Sequence, residues 1–280
     1  MNLILQGLSA NRSDIDRIAA LAQAQRVVPL SPNAFRCEGV QADDALRARI
    51  DAECLAAQLD YAFADGERRL ADFRLVAMDM DSTLITIECI DEIADMQGLK
   101  PQVAEITEAA MRGEIEFRES LARRVALLKG LDAAALQRVY DERLKLSTGA
   151  ERMLATVKAA GLKTLLVSGG FTYFTDRMKT RLGLDYTHSN VLEIVDGKLT
   201  GRVSGVVVDA EEKKATVERV CAELGISPRQ AIVMGDGAND LKMMGISGLS
   251  VAFRAKPVVR QQAHVALNFV GLDGILPILS

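Results

Sequence analysis

Residues 75–84 read LVAMDMDSTL: four apolar residues, Leu75 to Met78, followed at once by Asp79-Met80-Asp81-Ser82-Thr83. A run apolar on both faces is what a central parallel strand buried under helices requires. Two carboxylates two residues apart at its end can project into one crevice, and such a pair is costly there unless a cation accompanies it. A hard divalent ion removes that cost, and magnesium prefers oxygen ligands, one or two of them carboxylates, with phosphate and water completing the shell. The alternative is a solvated acidic turn.

Similar apolar runs recur at 164–167, ending in Ser168-Gly169-Gly170, and at 231–234, ending in Gly235-Asp236-Gly237, with a fourth at 250–253. The first three are each expected to pass directly into a helical pattern. Strands alternating with helices imply a Rossmann-like, three-layer α/β core with a parallel sheet, and ligands bind such sheets beyond the carboxyl ends of the strands. From Glu88 to about residue 146 the pattern is helical throughout, with stripes such as Ile90, Ile93, Ala94 and Leu121, Val125, Leu128 and breaks near 98–101 and at Gly130. Inserted after the first strand, this segment is expected to form a helical cap.

Upstream, residues 1–70 suggest strands at 3–8, 27–30, 35–40 and 59–64 and helices at 15–24 and 43–55. The order β-α-β-β-α-β fits the split βαβ, ferredoxin-like plan and resembles an ACT-type sensing domain. A docking or dimerisation domain without a ligand has the same element order. The expected domains are therefore 1–70 and 71–280, joined through the polar stretch 65–74, with the cap at about 88–146.

The chain has 280 residues, 49% hydrophobic and 26% charged, enough for one large domain and a smaller one. A net charge of -4 provides no global positive field to gather nucleic acid or an anionic membrane surface, so neither is an expected partner. No apolar run reaches the roughly 18 residues of a membrane span, and the start, MNLILQGLSANRSD, has no basic n-region or cleavage site, so the protein is read as cytoplasmic. Cys37, Cys54, Cys89 and Cys221 are scattered without a C-x-x-C and read as buried thiols. His188 and His264 are too few for a histidine metal cage or a serine-histidine triad, which leaves acid-base chemistry to carboxylates.

Three further pieces carry chemistry. Gly235-Asp236-Gly237-Ala238-Asn239-Asp240 could be a tight turn by itself; beside the first acidic pair, Asp236 becomes a metal ligand with Asn239 and Asp240 as supporting groups. Ser168-Gly169-Gly170 allows close backbone approach and presents N–H groups to an anion, or is a plain strand-to-helix loop. Asp209-Ala210-Glu211-Glu212-Lys213-Lys214 opens a helix, where charge runs are usually solvated.

In this order the four pieces resemble the haloacid dehalogenase-like hydrolase superfamily: D-x-D-x-T, a strand ending in Ser, a Lys, then G-D-G-x-x-D. Over Asp79 to about Pro257 the chain further resembles the phosphoserine phosphatases in DMDSTLITIECIDEIA, MRGEIEFRESLARRV, VSGGFTYF and MGDGANDLKMM. Met80 stands where several relatives have Phe. The resemblance implies Asp79 as nucleophile passing through an aspartyl-phosphate and Asp81 as general acid and base. It implies a magnesium ion held by Asp79, the backbone carbonyl of Asp81 and Asp236, and Lys213, Ser168 and the Gly169 N–H on the phosphoryl group. Lys214 stands open as the alternative lysine by one position. In the cap, Glu88 is implied to pair with a substrate ammonium and Arg124 with its carboxylate, with Met111 and Phe117 as apolar cover and Asn239 also on the substrate side. The expected reaction is hydrolysis of phosphoserine, the alternative being a phosphatase or phosphotransferase acting on another small phosphorylated amino acid such as phosphohomoserine; a homodimer is the assembly considered. A receiver domain merely phosphorylated on Asp79 needs neither Asp81 nor a cap.

Overall fold

The computed structural model describes residues 1–41, 43–64, 68–111 and 114–280, with the side chain of Met111 outside the described set. The start of the polar stretch 65–74 also lies outside the described residues. In chain order the elements are β1 (Asn2–Gln6), α1 (Arg12–Leu21), β2 (Arg26–Ser31), β3 (Ala34–Glu38), α2 (Asp44–Ala56), β4 (Asp60–Ala64) and β5 (Leu75–Met78). There follow α3 (Cys89–Asp95), α4 (Lys100–Met111), α5 (Phe117–Leu127), α6 (Ala134–Glu142), α7 (Ala150–Ala159), β6 (Lys163–Phe171) and α8 (Thr172–Leu182). The remainder are β7 (Tyr186–Val195), β8 (Lys198–Ser204), α9 (Ala210–Glu223), β9 (Ala231–Gly235), α10 (Leu241–Ile246), β10 (Leu249–Phe253), α11 (Pro257–Gln262) and β11 (Val265–Leu267).

The described chain groups into two compact units, one of Met1–Val76, Thr148–Leu162 and Ser227–Ser280, the other of Ala77–Ser147 and Lys163–Ile226. In the first, β1 to β4 form an antiparallel sheet in the order β2-β3-β1-β4, the ferredoxin-like arrangement expected from the element order. Alternation puts Leu3 and Leu5 of β1 on one face, where they meet Ile15 and Ile18 of α1 and Ile50 and Cys54 of α2 in one apolar core. Both helices start on side-chain caps: Asn11 accepts from the Ser13 N–H and Asp43 from the Leu46 N–H, as these residue types do at helix starts. The same unit carries strands in the order β11-β10-β9-β5, with β10 parallel to both of its neighbours.

The second unit continues from β5 with the order β5-β6-β7-β8. Strands β6 and β7 run parallel, and β8 returns antiparallel to β7 through Asp196-Gly197, both at positive φ. This β7-β8 hairpin is absent from the strand runs read in the sequence; its half-exposed, mixed composition lacks the apolar block that marks the central strands. Helices α3 to α6 occupy the stretch expected to be helical.

One expectation needs correcting. The sequence reading takes β5 straight into a helix, but the chain makes a single wide turn over Met80–Leu84, with Leu84 N–H on the Asp79 carbonyl and Ile85 N–H on the Met80 carbonyl. Ser82 sits inside it at φ +54, a left-handed conformation that costs a non-glycine residue about 1 kcal/mol or more and that turns next to functional groups often store. The wide turn is closed by its own backbone bonds and lets Asp79 and Asp81 leave the strand end together.

Within the first unit the ferredoxin-like sheet is fastened to the carboxyl-terminal segment by a buried carboxylate. Asp60, 1% exposed, accepts from the backbone N–H groups of Asn268, Phe269 and Val270 at 2.7, 2.9 and 2.9 Å. Gln6 adds a buried bond from its Nε2 to the Gly274 carbonyl at 2.8 Å. Desolvation still raises the Asp60 carboxyl, because three N–H bonds offset its burial only in part. Asp60→Ala leaves those N–H groups without an acceptor, and chemical denaturation is expected to show a loss of about 2 kcal/mol or more. A variant as stable as the parent would show that the clamp contributes nothing.

Candidate active site

Strand β5 delivers Asp79 at its carboxyl end, 5% exposed, and the following turn delivers Asp81. Helix α9 delivers Lys213. Asp209 caps that helix, its side chain accepting from the Glu212 N–H at 3.0 Å, and Lys213 lies in the first turn. Its Nζ reaches Asp79 Oδ1 at 2.9 Å, and the lysine side chain is fully buried. Neighbouring Lys214 points elsewhere, to Glu218 at 3.7 Å with 37% of its side chain exposed. Helix geometry accounts for the difference: adjacent residues on a helix diverge by about 100°, and only one of the two can face the strand end.

The Met80 N–H donates to Asp79 Oδ1 at 2.7 Å, so that oxygen accepts from a backbone donor and an ammonium together. Asp81 is half-buried. Its Oδ1 accepts from the Cys89 N–H at 2.9 Å and its Oδ2 from the Ser168 hydroxyl at 3.4 Å. Desolvation is the largest influence on Asp81 and raises its carboxyl above the ordinary range; the Cys89 N–H, the Lys213 charge and Ser168 oppose it without cancelling it. Such a carboxyl can hold a proton where an ordinary aspartate cannot, which suits it to give a proton and take one back.

Ser168, fully buried at the end of the β6 apolar run, accepts from the Gly170 N–H at 2.8 Å. A Cβ at Gly170 would come within 2.5 Å of Asp81 Oδ2 and 3.0 Å of Ser168 Oγ, so the glycine is required by space rather than by backbone angle. A Cβ on Gly169 would stand 3.3 Å from the ring of Phe117, which places that half-buried side chain of α5 against the glycine loop. The neighbouring Arg118 donates to Asp209 at 2.7 Å, tying the start of α5 to the cap of α9.

Glu88 stands at the N-cap position of α3 without a side-chain capping bond, and it accepts from the Ser82 hydroxyl at 2.6 Å. Arg124, half-buried on α5, feels burial first, which lowers its pKa, while the charges of Asp91, Glu88 and Asp81 oppose that. The structure therefore brings Asp79, Asp81, Ser168, Gly169, Lys213, Glu88, Phe117 and Arg124 into one unit. Met111 closes α4, and its side chain lies outside the described residues. Asp91, one helical turn after Glu88 and raised by burial, belongs to the same charged group and was not singled out in the sequence. Nothing but its i+3 spacing from Glu88 could have marked it.

In the other unit, β9 ends in the Gly235-Asp236-Gly237 loop. Buried Asp240 accepts from the Asp236 and Gly237 N–H groups at 3.2 and 3.1 Å and so shapes that loop, while Asp236 and Asn239 are half-buried. A Cβ on Gly235 would run into the Asp240 carboxylate. Asp236 and Asp240 offer carboxylate oxygens at this loop, as Asp79 and Asp81 do at the end of β5 in the other unit. A donor set of oxygen alone fits a hard divalent ion and disfavours a soft one.

The model of the haloacid dehalogenase-like hydrolase family matches residues 73–248, and that of a domain of unknown function, DUF4072, matches residues 3–50. A phosphoserine phosphatase of Polaromonas sp. is 60% identical over 221 residues, covering 77% of this chain and 94% of the relative. The unliganded structure of a probable phosphoserine phosphatase from Vibrio cholerae superposes with a TM-score of 0.84 at 37% identity, covering 99% of this chain and 86% of that one. A phospho-aspartyl intermediate analogue of a phosphoserine phosphatase superposes with a TM-score of 0.70 at 38% identity, covering 74% and 99%.

The two adjacent lysines give a direct check. Lys213→Met removes the ammonium beside a buried carboxylate and is expected to destabilise the metal-free protein by about 3 kcal/mol, whereas Lys214→Met is expected to change it by less than about 0.5 kcal/mol. Equal effects in urea unfolding would contradict the assignment of the pair.

Proposed function

The chain belongs to the haloacid dehalogenase-like hydrolases, and on that footing we propose that it hydrolyses O-phospho-L-serine to L-serine and phosphate through an aspartyl-phosphate. The observation that carries the reading is the Lys213 ammonium at 2.9 Å from Asp79, with Asp81 and the Ser168 hydroxyl bonded beside them. The proposed catalytic domain is 71–280 with its cap at about 88–146, and the proposed accessory domain is 1–70. The protein is proposed to act in the cytoplasm, as a homodimer.

Asp79 attacks phosphorus in line. Two negative groups must approach for this to happen, so the surroundings must supply positive charge and hydrogen-bond donors. Lys213 supplies one charge; the Ser168 hydroxyl and the Gly169 N–H supply donors aimed at the phosphoryl oxygens. Asp81, its pKa raised, protonates the departing serine oxygen and then takes a proton from the water that hydrolyses the aspartyl-phosphate. The metal is proposed to be Mg2+, held by Asp79, the Asp81 carbonyl and Asp236 with Asp240 and Asn239 in support. When bound it neutralises charge on nucleophile and phosphate.

The choice of substrate is assigned to the cap. Glu88 attracts the ammonium of the amino acid, Arg124 matches its carboxylate with two parallel N–H donors, and Phe117 covers the site against water. A longer amino acid such as phosphohomoserine carries the same two charges, and the distance between them and the phosphate discriminates against it.

Three outcomes are expected. Asp79→Asn abolishes phosphate release from phosphoserine while the protein remains folded by circular dichroism, and a chelator abolishes it in the parent until magnesium is returned. Glu88→Ala and Arg124→Ala each lower kcat/KM on phosphoserine by roughly 30-fold or more, the worth of a lost charge-assisted bond, with much smaller effects on p-nitrophenyl phosphate. Equal losses on both substrates would assign these residues to the fold rather than to recognition.

A further inference from the structure

The ladder between β6 and β7 breaks at the glycine loop. Ser168 stands opposite Ser189, yet the next aligned pair is Phe171 with Asn190, so Gly169 and Gly170 are extra residues bulged out of the strand. Bulges re-aim the groups they carry, and they need something to hold them. Opposite this one is Asn190, 1% exposed, whose side chain spans a gap that backbone pairing does not. Its Nδ2 donates to the Gly169 carbonyl at 2.7 Å, and its Oδ1 accepts from the Val208 N–H at 2.9 Å. This orientation of the amide is the one that matches a donor to the carbonyl and an acceptor to the N–H.

Val208 leads directly into α9. Asp209 caps that helix, and its carbonyl accepts the Lys213 N–H at 2.9 Å. One buried amide therefore joins the bulge that presents Ser168 and Gly169 to the entry of the helix that presents Lys213. The two segments approach closely there: a Cβ on Gly169 would stand 3.6 Å from the Val208 carbonyl. Aspartate at this position cannot donate to Gly169, and leucine can serve neither partner.

We infer that Asn190 is a positioning residue for phosphoryl transfer, holding the glycine bulge and the start of α9 in register so that donors from both converge on the phosphoryl group. The inference rests on the reading of the site given above. It differs from a role in substrate recognition, because Asn190 bonds to the backbone of the phosphate-side loops and not to the cap residues that select the amino acid.

The experiment compares Asn190→Ala and Asn190→Asp with the parent on phosphoserine and p-nitrophenyl phosphate, alongside melting temperature. Asn190→Asp keeps the side-chain volume and the acceptor for Val208 while setting an oxygen against the Gly169 carbonyl, so it carries the test should the alanine variant fail to fold. The expected result is a kcat lower by about 10- to 100-fold on both substrates, as a displacement near 1 Å costs, with KM for phosphoserine within about threefold of the parent. Folded variants with parental kcat, or a loss confined to the KM for phosphoserine, overturn the inference. So does failure of both variants to fold, which would make Asn190 a residue of the fold. A parent that cleaves p-nitrophenyl phosphate and leaves phosphoserine untouched would defeat the substrate reading alone, and Asn190 would still be judged on the first compound.

Discussion

A fully buried lysine facing a buried aspartate, Lys213 and Asp79 at 2.9 Å, is the constraint on which the site depends. Neither charge is tolerable in an apolar interior without the other. Burying both commits the chain to a strand end and a helix start that meet, and the local structure follows from that demand. Asp209 caps α9 so that its first turn presents Lys213 inward. The turn after β5 takes a left-handed residue at Ser82 so that Asp79 and Asp81 both leave the strand in usable directions.

Around this pair, backbone groups do as much as side chains. Asp79 accepts from the Met80 N–H, Asp81 from the Cys89 N–H, and Ser168 from the Gly170 N–H. Each carboxylate or hydroxyl is held in one orientation by the peptide chain beside it, which leaves remaining lone pairs for a ligand, and the long 3.4 Å bond from Ser168 to Asp81 is one that a ligand's oxygen can replace. That preorganisation costs stability where it forces strain at Ser82 or desolvates Asp81, and stability is supplied elsewhere by the apolar strands. The glycine at 170 serves the same end: the loop can pass beside Asp81 only because no Cβ is present there.

The amino-terminal sheet follows a different logic. Its core of Leu3, Leu5, Ile15, Ile18 and Ile50 is self-contained, yet Asp60 and Gln6 are spent on the backbone of the carboxyl-terminal segment. A freely tethered sensing module has no need of a buried carboxylate that binds three N–H groups from another part of the chain. Burial also accounts for the quiet behaviour of the cysteines. It raises the thiols of Cys37 and Cys54 to about 11 and about 12, well away from reactivity at neutral pH.

The sequence by itself determined the strands that are apolar on both faces, the ferredoxin-like order of the first elements, the helical stretch after β5 and the residue types at the strand ends. Each of these is written in local periodicity or in contiguous motifs, so physics acting over a few residues suffices to read them. The half-exposed β7-β8 hairpin, the wide turn at Met80–Leu84 and the placement of Asp91 and Asn190 were decided by tertiary structure. Asn190 is one polar residue in an edge-proximal strand, and its meaning arises from a two-residue register slip opposite it and from Val208, 18 positions away. The choice of Lys213 over Lys214 belongs there too, because two neighbouring lysines differ only in which face of α9 is buried, and burial is a property of the folded chain.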